Sequence, residues 1–322
     1  MIVMDEVVTT INLSRYFGNV VALDNINITI NKGEIFGLRG PNGSGKSTLI
    51  KILATLLLPS KGEAYVFGFD VKTQYDKIRR MINIVAGDDR PGYGILKVKE
   101  SLWFFSQLYG YGIKEGWKVV NSLIEKFNMQ DFAERRINRL SSGMMQKYNF
   151  VRGILNNPKL LFLDEPTIGL DVNAANEIRS YIKEWIKEDG ERTILLTTHY
   201  MAEAQQLCDR IAIIHKGRII KIDTVEGLLK LVSNEHVFEI KTPLIPEKLM
   251  DSLKKIEGMK ALDSESDVSS YTTNLRIVVS DESIIADVIS SIKASGTKIL
   301  ALSKVEPTLE DVFLYLVGRK LK

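Results

Sequence analysis

The sequence predicts an α/β fold built around a phosphate-binding loop, followed by a small α+β domain. Three observations carry this prediction. The segment GPNGSGKST, Gly40 to Thr48, stands between an apolar strand-like run (Glu34 to Leu38) and a helix-like one (Leu49 to Leu58). Leu160–Leu163 and Thr193–Thr197 are apolar runs bounded by polar residues, as expected of strands buried on both faces of a parallel sheet. Past Leu231 the pattern becomes strand, helix, strand, strand, helix, strand, the order of a ferredoxin-like unit. A chain of 322 residues with 45% apolar and 26% charged residues has room for two globular domains. We place them at residues 1–232 and 233–322.

Taken in order, residues 7–30 alternate apolar and polar positions (Ile26, Ile28 and Ile30 are the clearest) and read as antiparallel strands. The loop Gly40-Pro41-Asn42-Gly43-Ser44-Gly45-Lys46-Ser47-Thr48 follows. Its glycines let successive N–H groups turn inward at an anion, and the next helix adds its N-terminal dipole. In this pattern Lys46 lies along the β- and γ-phosphates and the Ser47 hydroxyl ligates Mg²⁺. Residues 88–157 carry apolar and aromatic side chains at helical spacing (Leu102, Phe105, Leu108, Tyr109, then Val119, Leu123, Ile124, Phe127), which predicts a helical insertion. Helices over Asn173–Lys187 and Met201–Cys208 separate or follow the buried strands, as in an α/β core. In the last domain we expect strands at 237–240, 260–263, 275–279 and 298–302, helices at 247–256 and 282–294, a polar hairpin at 264–273 and a closing helix from Leu309 to Val317.

Composition excludes several classes. The 43 basic and 40 acidic residues leave a formal charge of +3 and are well mixed, so there is no electrostatic footprint for nucleic acid. Cys208 is the single cysteine; it cannot form an intramolecular disulfide and reads as a small buried thiol. Asp5 and Glu6 follow the initial Met closely, without the basic flank and apolar stretch of a signal peptide. No apolar run approaches a membrane span, so a cytoplasmic chain is expected. His215 and His236 have no neighbours at metal-ligand spacing and read as structural.

The chemistry gathers at one edge of the predicted sheet. Leu160–Leu163 ends in Asp164-Glu165, and carboxylates at the end of a buried strand need a cation or a site. Ligands of open α/β sheets collect beyond the carboxyl ends of the strands. Asp164 is therefore placed to share Mg²⁺ with Ser47, and Glu165 to polarise the attacking water. His199, which closes the other apolar run, should emerge on the same edge as a γ-phosphate contact. The run Leu140-Ser141-Ser142-Gly143-Met144 opens another helix-like segment, where Ser141 by itself is an N-cap.

With these motifs in order from Phe17 to His199, the chain resembles an ATP-binding subunit of an ABC transporter. The resemblance implies a P-loop NTPase: a RecA-like core with an antiparallel β subdomain and a helical insertion. It assigns Leu140 to Met144 to the LSGGQ signature, divergent at Ser142 and Met144, and Leu161 to Glu165 to Walker B. Ile168-Gly169-Leu170-Asp171 becomes the D-loop and His199 the switch histidine. Phe17 matches the aromatic that stacks on adenine; Tyr16 beside it, or a core role for either, is the alternative. The family pattern implies a head-to-tail dimer, with Ser141 and Gly143 of one subunit covering the γ-phosphate held by Lys46 of the other. It further implies ATP and Mg²⁺ as cofactors, a second ATP-binding subunit (a homodimer is expected), an integral membrane permease and a peripheral position on the inner face of the membrane.

One departure stands out. The Q-loop glutamine expected after Ile82–Ala86 is absent, and Gly87 occupies its place. Gly87-Asp88-Asp89-Arg90 resembles a variant of ABC-2-type exporters of the antibiotic- and daunorubicin-resistance class, as does the tail Glu306 to Phe313; Asp88 or Asp89, acting through water, is the candidate replacement. Trp103, Phe104 and Phe105 either line a groove for a coupling helix of the permease or belong to the core. The competing functions are a soluble ABC ATPase acting on ribosomes or DNA and a regulator that no longer hydrolyses. The first usually has two cassettes or a long coiled coil, and neither is present here. Lys46, Asp164, Glu165 and His199 argue against the second.

Overall fold

A twelve-residue strand, β1 (Glu6–Phe17), turns through Gly18 into an equally long partner, β2 (Val20–Asn31). Gly18 takes a φ of 56° there, the left-handed region a two-residue hairpin turn demands. The structure is a computed structural model and describes residues 6–86, 94–198 and 200–320. It divides into two units, Met1–Ile222 and Asp223–Lys322.

In the first unit, β3 (Ile35–Arg39) enters the phosphate loop and α1 (Lys46–Leu53) leaves it. β4 (Lys61–Val66) and β5 (Phe69–Asp70) complete a four-stranded sheet of order β2-β1-β4-β5, antiparallel throughout. The short α2 (Tyr75–Arg79) leads to β6 (Ile82–Ala86). Three helices follow: α3 (Val98–Leu108), α4 (Ile113–Lys126) and α5 (Ser142–Ile154). They lie within the predicted insertion and present Leu102, Val120, Ile124 and Phe127 inward.

The chain then alternates β7 (Leu160–Asp164), α6 (Val172–Lys187), β8 (Thr193–Thr197), α7 (Met201–Leu207) and β9 (Arg210–His215). β10 (Arg218–Thr224) ends the series. The second sheet has the order β10-β9-β3-β8-β7-β6, with parallel pairing from β9 to β6. β3, β7 and β8 are buried along nearly their whole length, as expected where both faces of a sheet are covered. Phe36, Leu38, Phe162 and Leu195 share one core with Leu49 and Leu53 of α1 and with Leu13, Leu23, Ile26 and Ile30 of the antiparallel sheet. Full burial of such a side chain contributes about 1.5–3 kcal/mol, and this shared core fixes the loop between β3 and α1.

The second unit contains α8 (Val225–Lys230), β11 (His236–Pro243), α9 (Glu247–Leu253), β12 (Met259–Asp267), β13 (Thr272–Val279), α10 (Ile284–Ala294), β14 (Ala301–Val305) and α11 (Leu309–Lys320). The sheet order is β12-β13-β11-β14, all antiparallel, which gives the split βαβ arrangement of a ferredoxin-like unit. One face packs Phe238, Ile240, Leu275 and Ile277 on Leu249, Leu253, Val288 and Ile292 of α9 and α10. On the other, Val237, Ala261 and Val278 meet Leu314 of α11.

Several boundaries differ from expectation: the last strand, expected at 298–302, runs Ala301–Val305, and β12 and β13 extend into the expected hairpin, to Asp267 and from Thr272. The helix after the loop ends at Leu53, not Leu58: Thr55 takes a φ of 61° and the N–H groups of Leu56 and Leu57 fold back to Lys51 O. Orphan carbonyls at a helix end are closed in this way, and Leu56 and Leu58 are left exposed. The units separate at 222/223 rather than 232/233, because α8 packs against α11 and buries Leu228 and Val232.

Candidate nucleotide site

β3 delivers Gly40 to the carboxyl edge of the parallel sheet. A Cβ there would lie 2.2 Å from Ile214 O, so only glycine lets the chain turn beside β9. Gly45 has a φ of 110° and serves as N-cap of α1 without a side-chain bond, leaving the first N–H groups of the helix free of intrahelical acceptors. Lys46 is buried; its Nζ donates to Gly40 O at 2.8 Å and to Pro41 O at 3.1 Å, both in its own loop. Burial pushes its ammonium below the ordinary lysine range, Glu165 and Asp164 pull it up, and Arg39 pushes it down again.

β7 brings Asp164 to the same edge. The Ser47 hydroxyl donates to Asp164 Oδ2 at 3.0 Å, and the Thr197 hydroxyl donates to Asp164 Oδ1. Glu165 has a φ of 53°, a strained conformation for a residue with a side chain. Its N–H reaches Thr197 O at 3.0 Å and Thr197 Oγ1 at 3.2 Å. Lys46, Ser47, Asp164 and Glu165 line a cavity of about 380 Å³ together with Asn42, Gly43, Thr48, Ile168 and Val20 to Ala22. Phe17 and Tyr16 pair with Val20 and Val21 in the β1–β2 ladder. Phe17 is 45% exposed, with the Arg15 guanidinium 4.5 Å over its ring, so it lies outside the core. Tyr16 is half-buried against Lys61.

Other predicted residues lie apart from the cavity. Leu140 to Met144 do not line it; Ser141 caps α5, accepting from Met144 N at 3.3 Å, and is exposed. Gly169 has a φ of 70°, Leu170 N bonds Thr167 O, and Asp171 caps α6 through the N–H groups of Asn173 and Ala174 at 3.0 Å. Trp103 stacks on Trp117 at 5.5 Å, and Trp103, Phe104 and Phe105 are all half-buried. His199 and the run Gly87 to Arg90 lie outside the described residues. Sequence reasoning missed Val20 to Ala22 as a cavity wall and Thr197 as a partner of both carboxylate residues. The Thr-Thr pair closing an apolar run was the available signal for the second.

The residues present fit a nucleotide triphosphate. Gly43, Gly45, Lys46, Ser47 and Thr48 line the cavity at the N-terminus of α1, which carries no side-chain cap, so its first N–H groups are available to a phosphate. Ser47 and Asp164 offer oxygen ligands suited to a hard cation.

A family model described as "ABC transporter" matches residues 23–168. A linearmycin resistance ATP-binding protein of Bacillus subtilis (LnrL) is 30% identical over 97% of this chain and 98% of its own. The chain belongs to the ATP-binding subunits of ABC transporters. A daunorubicin/doxorubicin resistance ATP-binding protein of Streptomyces peucetius (DrrA) is 32% identical over 97% of this chain and 92% of its own. Among solved structures, a dimeric ATP-binding cassette in a post-hydrolysis state with ADP and Pi is 27% identical, with a TM-score of 0.60 over 67% of this chain and 98% of that one. This ABC subunit is thus an ATPase that binds ATP, of the drug-exporter-like group, from a family whose ATPase domains dimerise and work with membrane permeases. Among the described residues no helix is long and apolar enough to cross a membrane.

Proposed function

We propose that the chain powers export through a separately encoded permease by ATP-driven closure and reopening of a dimer, docked on the inner face of the membrane. The observation that carries this is the convergence of Lys46, Ser47, Asp164 and Glu165 on one cavity at the carboxyl edge of the parallel sheet. Lys46 leaves its loop carbonyls for the β- and γ-phosphates. Ser47 and Asp164 would hold Mg²⁺, which would supply positive charge against that developing on the phosphoryl group. Glu165 takes the proton of the attacking water, and His199 contacts the γ-phosphate. Phe17, exposed beside the cavity wall, stacks on adenine. The exposed cap Ser141, with Ser142, Gly143 and the D-loop, completes the pocket of a second copy. Each ATP then bridges two chains, and hydrolysis releases them, turning phosphoryl chemistry into motion of permease helices.

Glu165→Gln tests this reading directly. It should bind ATP with Mg²⁺ at near wild-type affinity, lower turnover by about 10²-fold or more, and run as a dimer on size-exclusion chromatography with ATP. Unchanged turnover would remove Glu165 as the base, and a strictly monomeric variant would remove the dimer. Affinity capture from detergent-solubilised membranes should recover a polytopic protein; ribosomes alone would favour the soluble alternative.

A further inference from the structure

We propose that Thr197 and Glu203, on either side of His199, are positioning residues that clamp the turn carrying Glu165 and set where its carboxylate points. The inference rests on Glu165 acting as the base. Its backbone occupies the left-handed region at φ 53°, which a residue with a side chain leaves unless its surroundings hold it. Besides the Ile168 N–H bond to Glu165 O at 3.2 Å within the turn itself, two contacts among the described residues bear on that hold. On the near side, the N–H of Glu165 donates to Thr197 O at 3.0 Å and to Thr197 Oγ1 at 3.2 Å. The one hydroxyl proton of Thr197 goes to Asp164 Oδ1, so its lone pair is what remains for Glu165. The chain of donors therefore runs Glu165 N–H, Thr197 O–H, Asp164 carboxylate, and it joins the two catalytic neighbours through the adjacent strand.

On the far side, Thr167 Oγ1 donates to Glu203 Oε1 at 2.8 Å. Glu203 is fully buried, and the Arg179 guanidinium lies 3.8 Å away at Nε. Thr167 and Thr197 are 3% and 0% exposed, so water cannot take over either bond when it is lost. Asp164 and Thr167 are thus both tied to the segment around His199, one to β8 and one to α7, with Glu165 between them. Displacement of β8 or α7 is passed to the Glu165 carboxylate through these two hydroxyls. Because a misplacement of about 1 Å at a reacting group costs on the order of 10²-fold in rate, the clamp acts on the chemical step, and its Thr167 arm, which touches neither Ser47 nor Asp164, does so without disturbing the cation site.

Thr197→Val and Thr167→Val keep side-chain shape and remove the hydroxyl. In the full-length protein each should lower kcat for ATP hydrolysis by about 10- to 100-fold; for Thr167→Val, whose hydroxyl bonds Glu203 and not the Mg²⁺-holding Asp164, KM and the ATP dissociation constant should stay within about twofold. Thr197→Ser and Thr167→Ser should recover most of the loss. The double valine variant should lose less than the product of the single losses, since both act on one turn. Wild-type kcat in either valine variant overturns the clamp, as does a serine variant as slow as its valine counterpart, or a loss confined to ATP binding. Glu165→Gln measured alongside separates the two readings: an inactive Glu165→Gln with a fully active Thr197→Val sinks the clamp alone, whereas an active Glu165→Gln sinks the assignment of the base.

Discussion

Lys46 is the residue whose surroundings make the sharpest demand. Its ammonium is buried among the carbonyls of its own loop, and that burial lowers its pKa from the ordinary 10.5. The free site therefore loses its positive charge at a lower pH than a solvated lysine would. ATP prefers the charged form, so affinity is full below the pKa of the free site and falls as pH rises through it. We expect the ATP dissociation constant to begin climbing at a pH below the 10.5 at which a solvated lysine would lose its charge. In Lys46→Arg the guanidinium stays charged there, so binding, weakened by the altered shape, should show no such climb. A flat profile in the wild-type chain would detach Lys46 from the phosphates. Lys46, Ser47 and Asp164 could be read from the sequence because a glycine-rich turn between strand and helix, and carboxylates closing an apolar strand, have few uses besides holding a phosphate and its cation. Thr197 and Glu203 could not, since their meaning lies in partners 32 and 36 residues away, and no local spacing encodes those contacts.

At the scale of elements, α11 shows how a charged group fastens a helix to a sheet. Asp311 is fully buried and takes two bonds from Arg276 of β13, 2.7 Å to Oδ1 and 2.8 Å to Oδ2. It also accepts from Thr308 N at 2.7 Å, capping the start of α11. Asp311→Ala leaves a largely buried guanidinium with the half-exposed Glu239 as its ion-pair partner and should destabilise the second unit by about 3–5 kcal/mol. Urea unfolding followed by circular dichroism should then show an early transition that the wild-type chain lacks; a single unshifted transition would count against this pairing. Periodicity made the strands and most helices legible, because a strand covered on both faces must be apolar throughout and a helix must repeat near 3.6 residues. The stop of α1 at Leu53 was hidden for the same reason: Leu56, Leu57 and Leu58 continue the apolar run, while the chain reversal depends on Thr55 and on bonds back to Lys51.

For the whole molecule, the division between units decides which fragments can stand alone. Composition changes near residue 232, but packing assigns α8 to the second unit, where Leu228 and Val232 are fully buried and the helix lies against α11. A chain cut after Thr224 keeps β10 entire and sheds α8 with its partners. A chain cut after Val232 keeps α8 without α11 and brings two core side chains into water, an exposure of about 1.5–3 kcal/mol each. We therefore expect the 1–224 fragment to bind ATP with an affinity within about threefold of the full chain, less than 1 kcal/mol, and to remain monodisperse without nucleotide. The 1–232 fragment should bind ATP equally well but self-associate, as read by light scattering at matched concentration. Loss of ATP binding in the shorter fragment would show that the second unit contributes to the nucleotide site. Equal dispersity of the two fragments would return α8 to the first unit and move the division back toward residue 232.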